Sequence, residues 1–381
     1  MKVILSVEPV RYPLTGIGRY TFELARHLQN NAIVEDLKLF SGRSFIQELS
    51  VPQPTPNKSH LFKRLVQKRP LLIEAYRALN QYLKGKALKG MEDYVYHGPN
   101  FFLPPFEGHS VVTIHDLSPF TWKECHQPEL LSYMEKGIKH SLRIATALIT
   151  DSEYTKRELA DYFSWPLERI HAVPLASSGE FYPRLALDVQ PLLEKYGLQW
   201  QGYSLFVSTI EPRKNIETLL AAYSRLPKAL RLRWPLILTG YEGWQNERIM
   251  QRIAEAEREG WARYLGFMPS DELPLLFAGA RLFAFPSHYE GFGLPVLEAM
   301  SSGVPVVCSN SSSLPEVTGD AALMCEPTDV DTLTELLLRG LEDETWRVQA
   351  IAKGHKRAAE FGWSRCADET SKVYQKVLSG Q

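Results

Sequence analysis

The residues best suited to chemistry sit in one short stretch, Ser287-His288-Tyr289-Glu290-Gly291-Phe292-Gly293-Leu294-Pro295-Val296-Leu297-Glu298-Ala299-Met300. Two carboxylates, Glu290 and Glu298, flank a turn that holds two glycines and a proline able to open a helix. The apolar run Leu282-Phe283-Ala284-Phe285-Pro286 before it has the character of a buried strand, and Val296 to Ser302 after it that of a helix start. Free backbone N–H groups at a helix start suit a phosphate or sugar oxygen. Ionised carboxylates are pure acceptors and suit hydroxyls. A phosphate site flanked by hydroxyl acceptors fits a nucleotide sugar.

Other loops carry complementary groups. Thr209-Ile210-Glu211-Pro212-Arg213-Lys214-Asn215 places adjacent cations where a helix should begin. Positive charge is unfavourable at a helix N-terminus unless an anion is present, and a guanidinium fork beside a compact ammonium can clamp a pyrophosphate. In Pro13-Leu14-Thr15-Gly16-Ile17-Gly18, Gly16 and Gly18 would let backbone approach a ligand, although this is only a fragment of a dinucleotide fingerprint. His115 ends the run Thr113-Ile114-His115, with Asp116 able either to orient the imidazole or to cap the next segment. Asp151, Ser152 and Glu153 read as a helix cap. Asp329-Val330-Asp331 has the spacing of a cation-binding acid pair, but it directly precedes the apolar helical run Leu333 to Leu341 and reads as a cap as well. No cluster of acids, histidines or cysteines has metal-ligand spacing.

The elements that must position these loops alternate. Val3 to Val7, Leu37 to Phe40, Tyr94 to His97, Val111 to Ile114 and Ala147 to Thr150 are short apolar runs expected as strands, separated by helical patterns such as Gly18 to Gln29. A second series follows at Ser204 to Ser208, Leu236 to Thr239, Arg263 to Leu265, Leu282 to Phe285 and Val304 to Cys308, with helices between. Runs of this kind indicate parallel sheets covered on both faces. The expected fold class is α/β, with two doubly wound, Rossmann-like domains, and ligands outside the carboxyl ends of the strands. The division falls in the Pro/Ser/Gly-rich stretch Pro174 to Pro183. A length of 381 residues accommodates two such domains. The formal net charge of −1 gives no general reason to expect nucleic acid. Four scattered cysteines without CxxC pairs suit reduced thiols in a cytoplasmic protein. The apolar start Met1 to Val7 is too short for a signal peptide and reads as the first strand. No window approaches the roughly 18 consecutive apolar residues of a membrane span.

Taken together, Glu290-x7-Glu298, Glu211-Pro212-Arg213-Lys214-Asn215, Pro286-Ser287, Gly303-Val304-Pro305-Val306-Val307, Leu314-Pro315-Glu316-Val317, Gly16-Ile17-Gly18, His97-Gly98-Pro99-Asn100, Thr113-Ile114-His115-Asp116-Leu117 and Ser152-Glu153-Tyr154-Thr155-Lys156 resemble the retaining family 4 glycosyltransferases. The likeness covers nearly the whole chain and is most specific from about Ser204 to Pro327. It implies a GT-B fold: an acceptor-binding domain over residues 1–178, a nucleotide-sugar domain over 179–360, and a C-terminal helix over 361–381 returning to the first domain. It implies that Arg213 and Lys214 hold the donor pyrophosphate and that Glu298 binds the ribose hydroxyls. Glu290, with the backbone of Gly291, Phe292, Gly293 and Leu294, would hold the transferred sugar. His115 would lie near the reacting bond, Gly16 would approach the phosphates, and Gly266 and Phe267 would face the base. No metal or other cofactor is implied. The likeness is greatest to bacterial O-antigen and polysaccharide mannosyltransferases, which implies GDP-mannose as donor and a lipid-linked saccharide as acceptor. A nucleotide-sugar epimerase or hydrolase of the same fold, or a non-catalytic binder, are the alternative readings.

Between Lys58 and Lys89 stand Lys58, Lys63, Arg64, Lys68, Arg69, Arg77, Lys84, Lys86 and Lys89 against the single acid Glu74, interleaved with Leu61, Phe62, Leu65, Leu72, Tyr76 and Leu79. Such a basic amphipathic segment suits an anionic membrane surface, so the protein is expected at the inner face of the cytoplasmic membrane. The alternative is an apolar face packed on the first sheet with solvated charges.

Overall fold

The computed structural model describes residues 1–49 and 70–380. Within them the chain forms two sheets. The first runs in the order β3-β2-β1-β4-β5-β6-β7. Its strands are β1 (Lys2–Ser6), β2 (Asp36–Ser41), β3 (Ser44–Ile46), β4 (Val95–Gly98), β5 (Ser110–Ile114), β6 (Ala147–Thr150) and β7 (Ile170–Ala172). All its pairings are parallel except the β2–β3 hairpin, turned at Gly42 with φ +66°. The second sheet runs β10-β9-β8-β11-β12-β13. Its strands are β8 (Ser204–Val207), β9 (Leu236–Thr239), β10 (Ala262–Tyr264), β11 (Leu282–Phe285), β12 (Val306–Ser309) and β13 (Ala322–Cys325).

The apolar runs do what a parallel sheet demands. Val3, Ile4 and Leu5 are fully buried in β1, as are Leu282, Phe283, Ala284 and Phe285 in β11. Each large side chain so buried contributes about 1.5–3 kcal/mol. Strand order then sets the ligand geography. In each sheet the order reverses at one place, between β1 and β4 in the first and between β8 and β11 in the second. Loops leaving such neighbours in opposite directions open a crevice at their carboxyl ends. The loops after β8 and β11 are those holding Arg213-Lys214 and Glu290.

Three strands escape the sequence pattern: β3, β7 and β13. The first two span three residues each, too short for a period to register. β13 is an edge strand with three half-exposed positions. The helix expected from Gly18 starts at Gly16, because the Thr15 hydroxyl accepts from the Gly18 N–H and caps the turn.

The helix Trp363–Ser379 lies against the helix Gly16–Leu28 of the first domain. Asn31 Nδ2 donates to Asp368 at 2.8 Å. Tyr374, fully buried, bonds His97 Nδ1 at 2.6 Å, and His97 Nε2 meets Thr113 at 2.8 Å. Burial holds the His97 imidazole down at about 3, so it stays neutral. The four cysteines are buried and unbridged.

Candidate active site

A cleft of about 660 Å³ lies between the two sheets' carboxyl ends. Gly16, His115, Arg213, Lys214, Phe267, Glu290, Gly291, Phe292, Gly293, Leu294 and Glu298 all line it. Gly18 and Gly266 do not. A Cβ on Gly18 would sit 3.0 Å from the Pro9 carbonyl oxygen, so this glycine serves the packing of its own loop. Gly266 has φ +69°, and its carbonyl accepts from the Gly240 N–H and the Thr239 hydroxyl. It is the turn that presents Phe267.

The cationic floor comes from a single turn of 3₁₀ helix, Pro212–Lys214, ended by Asn215 at φ +58°. The Asn215 side chain pins that turn by donating to Pro286 and Pro327 carbonyls at 2.8 and 2.6 Å. Lys214 Nζ donates to Glu290 Oε1 at 2.6 Å, and the Ser287 hydroxyl donates to the same oxygen at 2.7 Å. Arg213 forks between Glu211, at 2.8 Å, and the Tyr289 carbonyl, at 3.0 Å, with Glu290 Oε2 at 3.8 Å. Burial and the neighbouring Arg213 lower the Lys214 pKa. Burial also opposes the charge on Arg213, but Glu290, Asp116 and Glu211 outweigh it and hold the guanidinium firmly protonated. Two cations thus lie side by side, Lys214 buried and Arg213 partly buried, held in place by carboxylates.

Glu298 stands at the other end, on the helix Leu294–Ser301 that starts at Gly293 with φ +107°. Burial pushes its carboxyl up to about 8, and Arg19 tempers the shift. Beside the rim, Phe267 stacks on Tyr241 with ring centroids 4.3 Å apart and planes 18° apart. Both rings are substantially exposed. Tyr241 carried no signal in the sequence, because a lone aromatic after a strand is common.

His115 is buried in the wall, and both of its ring nitrogens are engaged. Nδ1 lies 2.8 Å from Asp151 Oδ2 and Nε2 lies 2.9 Å from the Pro99 carbonyl. Two acceptors require two N–H donors, so the imidazolium fits this site. Burial works against that charge, but Asp151 and Pro99 prevail and raise the pKa. The ring is therefore held on both sides, without a free nitrogen for a substrate proton. The group that orients it is Asp151. Asp116 instead caps the next turn by accepting from the Ser118 N–H at 2.9 Å. Ser152 is the expected cap, accepting from Thr155 N at 3.1 Å.

The two halves of the cleft are fastened together. The Gly291 carbonyl accepts from the Ser152 and Thr155 hydroxyls at 2.7 and 3.2 Å. Glu316 crosses from the second domain and accepts from the Glu153 and Tyr154 N–H groups, at 2.8 and 2.5 Å. It thereby caps a helix of the other domain with charge of the favoured sign. Tyr289 donates to Glu158 and accepts from the Leu117 N–H at 2.8 Å. Burial pushes the Glu158 carboxyl up to about 7.

Among the described residues, no group of three acids, histidines or cysteines is placed to hold a metal ion. Asp329 accepts from Thr332 N at 2.9 Å and is a helix cap. No described helix is long and apolar enough to cross a membrane. Of the basic segment, Lys58, Lys63, Arg64, Lys68 and Arg69 lie outside the described residues. Lys86 and Lys89 are exposed, whereas Arg77 covers the Tyr133 ring at 3.8 Å and Lys84 is buried against Glu8.

Residues 194–357 match the family described as glycosyl transferases group 1. O-antigen chain mannosyltransferase B of Escherichia coli is 47% identical over 98% of this chain and 100% of its own length. Among solved structures, WaaG, a glycosyltransferase involved in lipopolysaccharide biosynthesis, superposes with a TM-score of 0.69 at 14% identity, covering 98% of this chain and 99% of that one. Sucrose-phosphate synthase from Thermosynechococcus elongatus superposes with a TM-score of 0.66 at 21% identity over the full length of both chains. The fold is that of the GT-B glycosyltransferases.

Proposed function

Because this chain belongs to the group 1 glycosyl transferases, we propose that it transfers mannose, with retention, from GDP-mannose to a lipid-linked saccharide in O-antigen synthesis. The observation that carries the reading is the Arg213–Lys214 pair beside Glu290, at the crevice where the second sheet reverses its order. Neighbouring cations with fixed geometry suit a pyrophosphate, and the name of the 47% identical relative supplies the sugar and the pathway.

In the reaction, the bond from the anomeric carbon to the phosphate oxygen breaks, and its electron pair stays on the phosphate. Arg213 and Lys214 stabilise that growing charge, which is usually the largest contribution in such sites. The acceptor oxygen bonds the anomeric carbon from the face the phosphate leaves, and its proton passes to the departing phosphate oxygen. Neither glutamate is assigned the role of nucleophile. Glu290 orients the sugar hydroxyls, Glu298 accepts from the ribose hydroxyls, and the Tyr241–Phe267 stack offers the base an aromatic surface. With two side-chain cations taking the leaving-group charge, the reaction is expected to need no divalent cation.

On this reading the enzyme works at the inner face of the cytoplasmic membrane, touching anionic lipid through the segment 58–89. Replacing Lys63, Arg64, Lys68 and Arg69 by glutamate is expected to abolish sedimentation with anionic liposomes; unchanged sedimentation sinks that part. The central test is a screen of nucleotide sugars against a lipid-linked saccharide, reading product mass and anomeric configuration. Mannose transferred from GDP-mannose with retained configuration supports the proposal. Preference for another donor, inversion, or sugar release without transfer overturns it.

A further inference from the structure

Two helices meet start to start across the donor cleft, Gly16–Leu28 from the first domain and Leu294–Ser301 from the second. A Cβ on Gly16 would lie 3.9 Å from Leu294 Cδ1, so their first turns are side by side. One turn further along each helix stand Arg19 and Glu298, and both line the cleft. Residues one turn apart share a helix face. A cation and a carboxylate therefore face the same space from opposite domains.

The protein itself satisfies neither. Among the described residues, the Arg19 side chain makes no hydrogen bond or ion pair, and neither does the Glu298 carboxylate. Arg213 and Lys214, by contrast, are each held by a carboxylate. A cation in the first turn of a helix is unfavourable without an anion nearby, and the first turn of Gly16–Leu28 carries no acid. Glu298 is the anion at hand, and Arg19 is the charged group that offsets the effect of burial on its carboxyl. The other charged groups on elements packed against Leu294–Ser301 are engaged elsewhere. Glu316 caps the helix that starts at Glu153. Lys353 pairs with Asp320 and Glu344 with Arg281. Arg347 and Arg357 donate to backbone carbonyls. Lys356 is exposed, and His355 stands past the helix end beside Gly303.

A ribose presents two neighbouring hydroxyl donors. An ionised carboxylate accepts through both oxygens, whereas protonation turns one of them into a donor. Burial in the cleft wall opposes ionisation, and a cation across the cleft favours it. That attraction acts without contact and falls only as the inverse of distance, so a small displacement of the domains leaves it standing.

We propose that Arg19 is a positioning residue for nucleotide binding: from the first domain it supplies the counter-charge that keeps the Glu298 carboxylate in its accepting form, so that the two domains read the ribose together. The proposal rests on the reading of Glu298 as the ribose acceptor, and goes beyond it in making that acceptor depend on the other domain. Arg19 acts through Glu298 and not on the phosphates.

The test is calorimetry on the full chain with GDP, UDP and ADP, each beside its 2′,3′-dideoxy analogue. The variants are Arg19→Gln, Arg19→Lys, Glu298→Gln and the Arg19→Gln, Glu298→Gln double variant. Arg19→Gln should weaken the diphosphate that wild type binds best by about tenfold near neutral pH, and should leave its dideoxy analogue unaffected. Arg19→Lys should restore most of the affinity. In the Glu298→Gln background, Arg19→Gln should cost nothing further. The accepting form is gained as pH rises through about 8, so wild-type affinity should climb over that range, and the climb should move to higher pH in Arg19→Gln. Donor KM should rise with the loss of affinity while kcat holds. Equal losses for the diphosphate and its dideoxy analogue overturn the proposal, since they mark a direct phosphate contact. An unmoved pH profile, a full loss in the Glu298→Gln background, or no nucleotide binding overturns it too. The expected binding pattern, in a protein that transfers nothing from any donor, leaves the Arg19–Glu298 pair standing and removes the transferase reading. Transfer from GDP-mannose with a donor KM indifferent to Arg19→Gln does the reverse.

Discussion

Gly291 offers the sharpest test of how the cleft is assembled. Its carbonyl accepts from Ser152 and Thr155 of the first domain. A Cβ at this position would lie 1.9 Å from the His115 carbonyl oxygen and 3.0 Å from Asp116 Cβ. Cβ atoms essentially never approach other atoms within 3.0 Å. The obstacle is backbone, which cannot swing aside as a side chain would. Gly291→Ala must therefore push the two domains apart by about 1 Å, and a misplacement of that size costs about 10²-fold in rate. That corresponds to about 2.7 kcal/mol of transition-state stabilisation. GDP affinity should hold, since Arg213, Lys214 and Glu298 stay together on the second domain. The assay is steady-state transfer alongside GDP titration, with small-angle scattering for compactness. Gly179→Ala is the control, because a Cβ there meets nothing within 4 Å. Turnover by Gly291→Ala within about threefold of wild type, with unaltered scattering, would refute the reasoning.

On the proposed mechanism, Lys214→Ala removes one of two cations at the leaving group and strands Glu290; kcat should fall about 10²–10³-fold, and a correctly folded variant with normal turnover counts against the phosphate role. Burial holds the Glu298 carboxyl at about 8, well above the ordinary range for a glutamate. A carboxyl raised on folding favours the folded state while protonated, so stability should decline as pH climbs from about 4.5 through about 8. Denaturant melts should show that slope, Glu298→Gln should flatten it, and an unchanged profile would remove Glu298 from the account. Glu316→Gln weakens a charged cap made across the domains, where hydrogen bonds to charged groups are worth about 1.5–3 kcal/mol. Scattering should report a more open molecule, and identical profiles would discount the fastening.

Much of the architecture was legible because parallel strands covered on both faces leave continuous apolar runs. Ala147–Thr150, Leu236–Thr239 and Leu282–Phe285 coincide with the expected segments. The cleft loops followed from the same logic, since each begins where a buried strand ends. The His115 partner was not legible. Asp151 is 36 positions away, and Asp116 was the obvious neighbour. The register explains the choice: Ile114 on β5 pairs with Thr150 on β6, so His115 and Asp151 are the first residues past two aligned strand ends. The adjacency of those strands, which the sequence does not display, was the missing datum. Gly291 was hidden for a related reason, because what forbids its side chain belongs to the other domain. Gly18 shows the opposite failure: it looked like a ligand contact and serves its own loop.

If Arg213 and Lys214 hold the donor pyrophosphate as proposed, the positions of the charges also constrain how the donor binds. Lys214 is bonded to Glu290, and that same carboxylate sits 3.8 Å from Arg213. A pyrophosphate approaching these cations competes with Glu290 for them. Displaced carboxylate buried in this wall would be costly unless new donors reach it, since unpaired buried charge is expensive. The hydroxyls of a sugar attached to the same pyrophosphate are such donors. A nucleotide diphosphate alone brings the competing charge without those hydroxyls. An intact nucleotide sugar brings both and leaves every ionised group partnered. The Lys214–Glu290 pair thereby gives the cleft a physical reason to prefer the whole donor to its product, independent of any contact with the base. Ser287, which donates to the same Glu290 oxygen, keeps the carboxylate aimed while the exchange occurs.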